Sequence, residues 1–211
     1  MRGDFVRSRA TNLTFPPVPI PTGETAHRAI NISSLYSMSE AGQYTVRACI
    51  THSATHKQFW SEAVLVNVDP GKLIWNQTVG IPEGRPGAGS YRTFSIFTHQ
   101  RPEGTFLFAK LENREDVALY GCYPLGRLLG AMAPQIQLDP NNDLYVFHAN
   151  SDTAYTLSQI DVSTGTMGQA PYRSSNPNRQ GRPSLQRSAS GQLVIRNGTR
   201  ITEEEINNQN N

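Results

Sequence analysis

At 211 residues the chain is long enough for one large β domain or two small ones, with enough chain in either case for a real core. Only 17% of it is Asp, Glu, Lys or Arg and the net charge is +2. The cations are spread out, apart from a looser Arg cluster between residues 170 and 190, and this argues against nucleic acid as a partner. No apolar run approaches the roughly 18 residues of a membrane span, and the start MRGDFVRSRATN has charge but no apolar stretch after it, so it is not a secretory signal peptide.

Taken in order, Arg2-Gly3-Asp4 belongs to this polar terminus, and a three-residue match to an adhesion tripeptide carries little information. Residues 15–22, FPPVPIPT, hold four prolines, which forbid a central strand and give a stiff, extended lead-in. From Gly23 to Val68 the pattern becomes β-like. Tyr44, Val46, Ala48 and Ile50 alternate with Thr45, Arg47 and Cys49, while Val64, Val66 and Val68 alternate with Ala63, Leu65 and Asn67. The polar THSATHK between these runs predicts a hairpin. His52 and His56 fall at its tip rather than on a helix, with no third metal ligand near them in sequence.

Residues 70–93 read as a linker with one short strand, LIWNQTVG, and a Pro/Gly-rich loop. Gly84, Gly87 and Gly89 do not make a phosphate cradle, because no Lys-Ser/Thr and no helix follow them. Three strand-like runs come next, FSIFTHQ, TFLFAKLE and ALYGCYPLG, with turns at RPEG and NRED. The stretch from Pro134 to Met167 is the clearest architecture in the chain, with short β-rich runs separated by DPNND, ANSD and DVSTG. Phe94–Phe97 aligns with Gln135–Leu138, Phe106–Ala109 with Tyr145–His148, and Ala118–Tyr120 with Tyr155–Leu157, a period of about 40 residues. A poorer third copy starts at Pro183, and the polar tail, residues 202–211, is expected to be disordered.

The fold class expected is all-β, a partial immunoglobulin-like sandwich followed by antiparallel β-meander or propeller-like repeats. The divisions are residues 1–69, a linker at 70–93, repeats at 94–201 and the tail. The first part resembles the last strands of a bacterial immunoglobulin-like sandwich, carried by LYSMSEAGQYTVRA and SEAVLVNV through Leu35, Tyr36, Gly42, Tyr44 and Val46. Such a sandwich has about seven strands, and four or five fit here, so the domain is expected to be incomplete and the N-terminus truncated. Taken whole, the chain is similar to secreted or periplasmic bacterial proteins that join such modules. That resemblance implies a periplasmic or extracellular setting and a fold, not an activity.

Chemistry-bearing residues are few. Asp139, Asn141 and Asp143 have calcium-loop spacing, but Leu144 stands where the loop needs Gly, and no Glu closes it, so DPNND reads as a turn. His148 ends a strand and could meet Asp152 and Tyr155 across the next turn. Glu112, Glu115 and Asp116 fall in a turn and Glu203–Glu205 in the tail, where solvation is the expected fate, and there is no G-x-S-x-G. Asn12, Asn31, Asn76 and Asn197 begin N-x-S/T triplets that read as chance matches. Cys49 and Cys122 are predicted to be buried free thiols.

No cofactor or metal site emerges. The tyrosines, with Tyr91, Tyr120, Tyr145 and Tyr155 foremost, are the candidate stacking surface for a sugar or peptide. The sequence therefore points to a non-catalytic interaction or scaffold module with a protein or glycan partner. The alternative is a fragment of a larger secreted hydrolase whose acid and base lie elsewhere.

Overall fold

The computed structural model describes residues 18–27, 29–30, 32, 36, 41–115, 119–175, 181–202 and 205. Arg2-Gly3-Asp4, Asn12, Asn31, Leu35, Asp116, the start of the proline-rich lead-in and all of the tail except Thr202 and Glu205 lie outside them. The chain is all-β and antiparallel, as the turn-punctuated alternation predicts. It divides into two units, residues 1–70 and 71–211. No helix among the described residues is long and apolar enough to cross a membrane.

In the first unit, β1 (Gly42–Val46) pairs with β4 (Val64–Val68), and β2 (Cys49–Thr51) with β3 (Gln58–Trp60). These pairings are two lengths of one hairpin. Val46 opposes Val64 and Cys49 opposes Trp60, so Arg47 and Ala48 face three residues, 61–63, across the ribbon. This is a β-bulge, and its extra residue swaps which side chains share a face. Ser61 holds it, its N–H donating to the Ala48 carbonyl and its Oγ accepting from the Ala48 N–H, both at 2.9 Å. At the tip, positive φ at His56 (51°) closes the turn, and His52 Nδ1 is occupied by Thr55. Ile50, Phe59, Trp60, Val64 and Leu65 are all exposed, as expected of a two-stranded ribbon.

The second unit is a stack of sheets. Its first sheet is the meander β5 (Lys72–Gly80), β6 (Tyr91–Arg101), β7 (Gly104–Asn113) and β8 (Leu119–Leu128). Residues 72–80, read from sequence as a short strand of a connector, pair with β6 along their length apart from one bulge. The second sheet runs β9 (Gln135–Leu138), β10 (Leu144–Ala149), β11 (Ala154–Ile160) and β12 (Met167–Ser174) in spatial sequence. A hairpin of β13 (Ser184–Arg187) and β14 (Leu193–Arg196) follows, after which β15 (Gly198–Arg200) returns to the edge of β12.

Strand alternation makes β10 the centre of the stack. On one face, Leu144 and Val146 join Phe94 and Ile96 of β6, Leu107, Ala109 and Leu111 of β7, and Leu125 of β8 in the larger core. On the other, Phe147 and Ala149 join Tyr155 and, from the hairpin, Leu185, Leu193 and Ile195 in a second core. Burying each large apolar side chain contributes roughly 1.5–3 kcal/mol before the entropy cost of ordering it. A strand buried on both faces explains why residues 144–149, LYVFHA, read as a nearly continuous apolar run.

The repeat differs from the sequence alignment. In the meanders, β9 is an edge strand like β5, whereas the 40-residue period set it against β6, an interior strand. What recurs closely is the hairpin, with Leu144 and Leu193 in equivalent places 49 residues apart. Both turns close alike. The Asp139 N–H donates to Asp143 O and the Asn142 N–H to Asp139 O; likewise Ser188 donates to Gln192 and Gly191 to Ser188. Positive φ falls at Asn142 (62°) and at Gly191 (83°), at matching positions.

Candidate functional site at the turn end of the second unit

The antiparallel sheets of the second unit bring the loop between β5 and β6, the DPNND turn and the DVSTG turn to one end. Each turn is built locally first. Asp139 Oδ1 accepts from the Asn141 and Asp143 N–H groups at 2.9 Å, and Asp161 Oδ1 accepts from the Ser163 and Thr164 N–H groups at 2.8 and 2.7 Å. These are Asx turns, in which the carboxylate replaces a backbone acceptor.

The two turns then grip the loop. Arg85 donates from Nη1 to Asp143 Oδ1 (2.9 Å) and from Nη2 to Asp161 Oδ2, and Asp143 Oδ1 also accepts the buried Val162 N–H at 3.0 Å. Asn142 Nδ2 reaches the Gly80 carbonyl at 2.8 Å, and Ser163 Oγ donates to Pro86 O. Gly84, Gly87 and Gly89, at φ near +80°, let the loop fold over itself; at Gly87 a Cβ would stand 3.1 Å from Ile81 Cδ1. Asp139 and Asp143 are thus committed to turn and clamp. Among the described residues no three His, Cys, Asp or Glu side chains gather as a metal site.

Electrostatics follow the geometry. The hydrogen bond that Arg85 donates to Asp143 raises the Arg85 pKa against the opposing effect of desolvation, with both carboxylate charges adding to it. Desolvation pushes Asp161 upward, but the Thr164 and Ser163 amides and the Arg85 charge together outweigh it and hold Asp161 below the usual carboxylate range.

The four foremost tyrosines separate into two pairs. Tyr155 is buried, its ring stacked on Phe147 at 5.4 Å between centroids, and Tyr145 is half-buried in the same core. Tyr91 and Tyr120 are 49% and 45% exposed. Both lie at the turn end, each against an arginine: Arg114 is 5.6 Å from the Tyr91 ring centroid and Arg92 is 4.4 Å from that of Tyr120. Tyr120 is the more fixed, because its Oη donates to Ser163 O at 3.0 Å. Gly165 (φ 68°) makes room for it, since a Cβ there would lie 3.0 Å from the Tyr120 ring and 2.7 Å from Tyr123 Oη.

Beneath Tyr120, Arg92 is only 9% exposed. Its Nη1 donates to Asn113 Oδ1 at 2.7 Å, its Nε is unpartnered, and among the described residues it has no carboxylate. Its charge is held by a neutral amide and the face of an aromatic ring.

His148 corrects the sequence reading. The hydrogen bond to Asp152 or Tyr155 does not form, because alternation turns His148 to the face opposite Phe147 and Tyr155. The ring sits 2% exposed against the Gly126 region of β8, with both nitrogens unpartnered. Burial depresses its pKa from 6.5 to about 4, an effect the Arg127 backbone opposes without coming into hydrogen-bond geometry. The cysteines are a second correction, since Cys49 and Cys122 are free but exposed. Cys49 lies on the first unit's ribbon and Cys122 on the face of β8 away from the core.

Arg85, Arg92 and Asp161 escaped the sequence reading. Asp161 had a local signal, since DVSTG is an Asx-turn sequence; Arg85 and Arg92 had none, because their partners lie 58, 76 and 21 residues away. The chain matches no protein-family model, and no curated protein and no solved structure matches it either.

Proposed function

We propose that the chain is a non-catalytic interaction or scaffold module of a secreted or periplasmic bacterial protein, built from an immunoglobulin-like part and propeller-like repeats. Its contact surface for a glycan or protein partner is the turn end around Tyr120. The observation that carries this reading is the preset state of Tyr120, whose hydroxyl is tied to Ser163 and whose ring rests on Arg92 while nearly half its surface meets solvent. A ring already ordered loses little entropy on stacking against a sugar face or an apolar side chain. Asp143 and Asp161 are engaged on Arg85, and His148 lies in the core. The long-range clamp also supports a scaffold role, because it fixes the loop that frames Tyr91 and Arg92.

Screening the purified chain against bacterial envelope glycans and envelope proteins tests the reading. The ligand found is expected to bind about tenfold more weakly to Tyr120→Ala, equivalent to roughly 1.4 kcal/mol, and nearly normally to Tyr120→Phe. Hydrolysis of a bound glycan, or equal binding by Tyr120→Ala, would contradict it.

A further inference from the structure

The recurring hairpin shows what is missing from its second copy. In an antiparallel ladder, successive residues direct their backbone N–H and C=O to opposite edges. The Ser188 to Gln192 hydrogen bond sets the phase for β13 and β14: Gln186 and Val194 bond each other, while the backbone groups of Leu185 point outward from β13 and those of Leu193 and Ile195 outward from β14. Side chains confirm the phase on the β13 edge. The Leu185 N–H donates to Gln135 Oε1 at 2.7 Å, and the Leu185 carbonyl accepts from Gln137 Nε2 at 3.1 Å.

No described strand pairs with the outer edge of β14. In the first copy the equivalent edge is that of Leu144, Val146 and His148, and β11 fills it, with Leu144 opposite Ile160, Val146 opposite Ser158 and His148 opposite Thr156. The described residues that follow β14 do not repeat this. Asn197 (φ 58°) turns the chain away, Gly198 packs so closely that a Cβ would lie 2.7 Å from Ile195 Cγ2, and β15 is spent on β12. Below the vacant lane the second core is only partly closed, with Leu157, Tyr172, Leu193 and Ile195 half-buried. The lane thus continues an interface already made by the hairpin.

We infer that the outer edge of β14 accepts an extended strand from a partner protein, by β-strand addition. The strand runs antiparallel to β14, hydrogen-bonds the backbones of Leu193 and Ile195, and carries an apolar residue opposite Leu193, where Ile160 stands opposite Leu144. A short edge with an incomplete apolar core beneath it selects for alternating apolar side chains more than for charge. This surface is separate from that around Tyr120 and does not depend on it.

The probe is a synthetic peptide of residues 152–162, DTAYTLSQIDV, added to the intact chain, with amide hydrogen exchange read residue by residue. Without peptide, the Leu193 and Ile195 amides are expected to exchange much faster than Val194, which is bonded within the hairpin. With peptide they slow by about tenfold or more, while a peptide N-methylated at the amides that face β14 has no effect. The same protection should appear in Tyr120→Ala. Unchanged exchange at saturating peptide, protection confined to other strands, or equal protection by the N-methylated peptide would overturn the inference. So would protection that rises with protein concentration alone, which would make a second copy the occupant.

Discussion

Acidification from pH 7 to about 4.5 is expected to remove two to three kcal/mol of stability from the protein through His148 alone, about what its depressed pKa corresponds to. The unfolded chain takes up a proton near 6.5, whereas the buried ring resists it until about 4. Between those values the unfolded state binds more protons, so stability falls as pH drops through this window and levels off below it. Asp161 acts lower. Its depressed folded pKa adds stability that is present above the ordinary carboxylate range and is lost as pH falls through the folded value. Urea unfolding of the intact protein at several pH values separates the two. His148→Leu, which replaces an unpartnered ring by an apolar side chain of similar size, should be at least as stable as the native protein at pH 7 and should lose the decline above pH 4. An unchanged decline in this variant would mean that His148 is not the titrating group.

Replacing Asp143 by Ala is expected to cost about 3 kcal/mol, the scale for removing one partner of a mostly buried ion pair. The change leaves the Arg85 guanidinium with Asp161 and the Asn141 carbonyl, and the buried Val162 N–H without the oxygen it donates to. Asp143→Asn keeps an oxygen for Val162 and should cost clearly less. Because Arg85 and Asp143 act together, Arg85→Ala and Asp143→Ala should be far from additive. Additive losses in chemical denaturation would show that the loop between β5 and β6 is held by other contacts.

Alternation and turn chemistry made the β-content legible in the sequence, because both act over a few residues. DPNND and DVSTG fold as turns for reasons carried within them: Asp side chains that bond the next amides, and an Asn or Gly at positive φ. The purpose of those turns was not legible. Asp161 has an oxygen left over after closing its own turn, Asp143 leaves its turn to Asp139 and keeps its carboxylate free for other contacts, and both meet an arginine from a loop the sequence presents as featureless. The repeat misled for a related reason. Apolar patterns of β6 and β9 look alike, but position in a sheet depends on which strands lie outside them. The hairpin at Leu144 and Leu193 identifies itself by its turn, which is local. Tyr91, Tyr120, Tyr145 and Tyr155 looked equivalent because a tyrosine that fills a core and one that faces solvent carry the same letter. Only the two-sided burial of β10 separates them.

The stack itself, with β10 between two cores, is the premise for the fate of every side chain discussed. Side-chain nuclear Overhauser contacts from β10 test it most directly. Val146 should contact Phe94 or Leu107 on one side, and Phe147 should contact Tyr155 and Leu185 on the other. Contacts from both residues to only one of these groups, or pairing that sets β9 beside β6, would contradict the stack and the site built upon it.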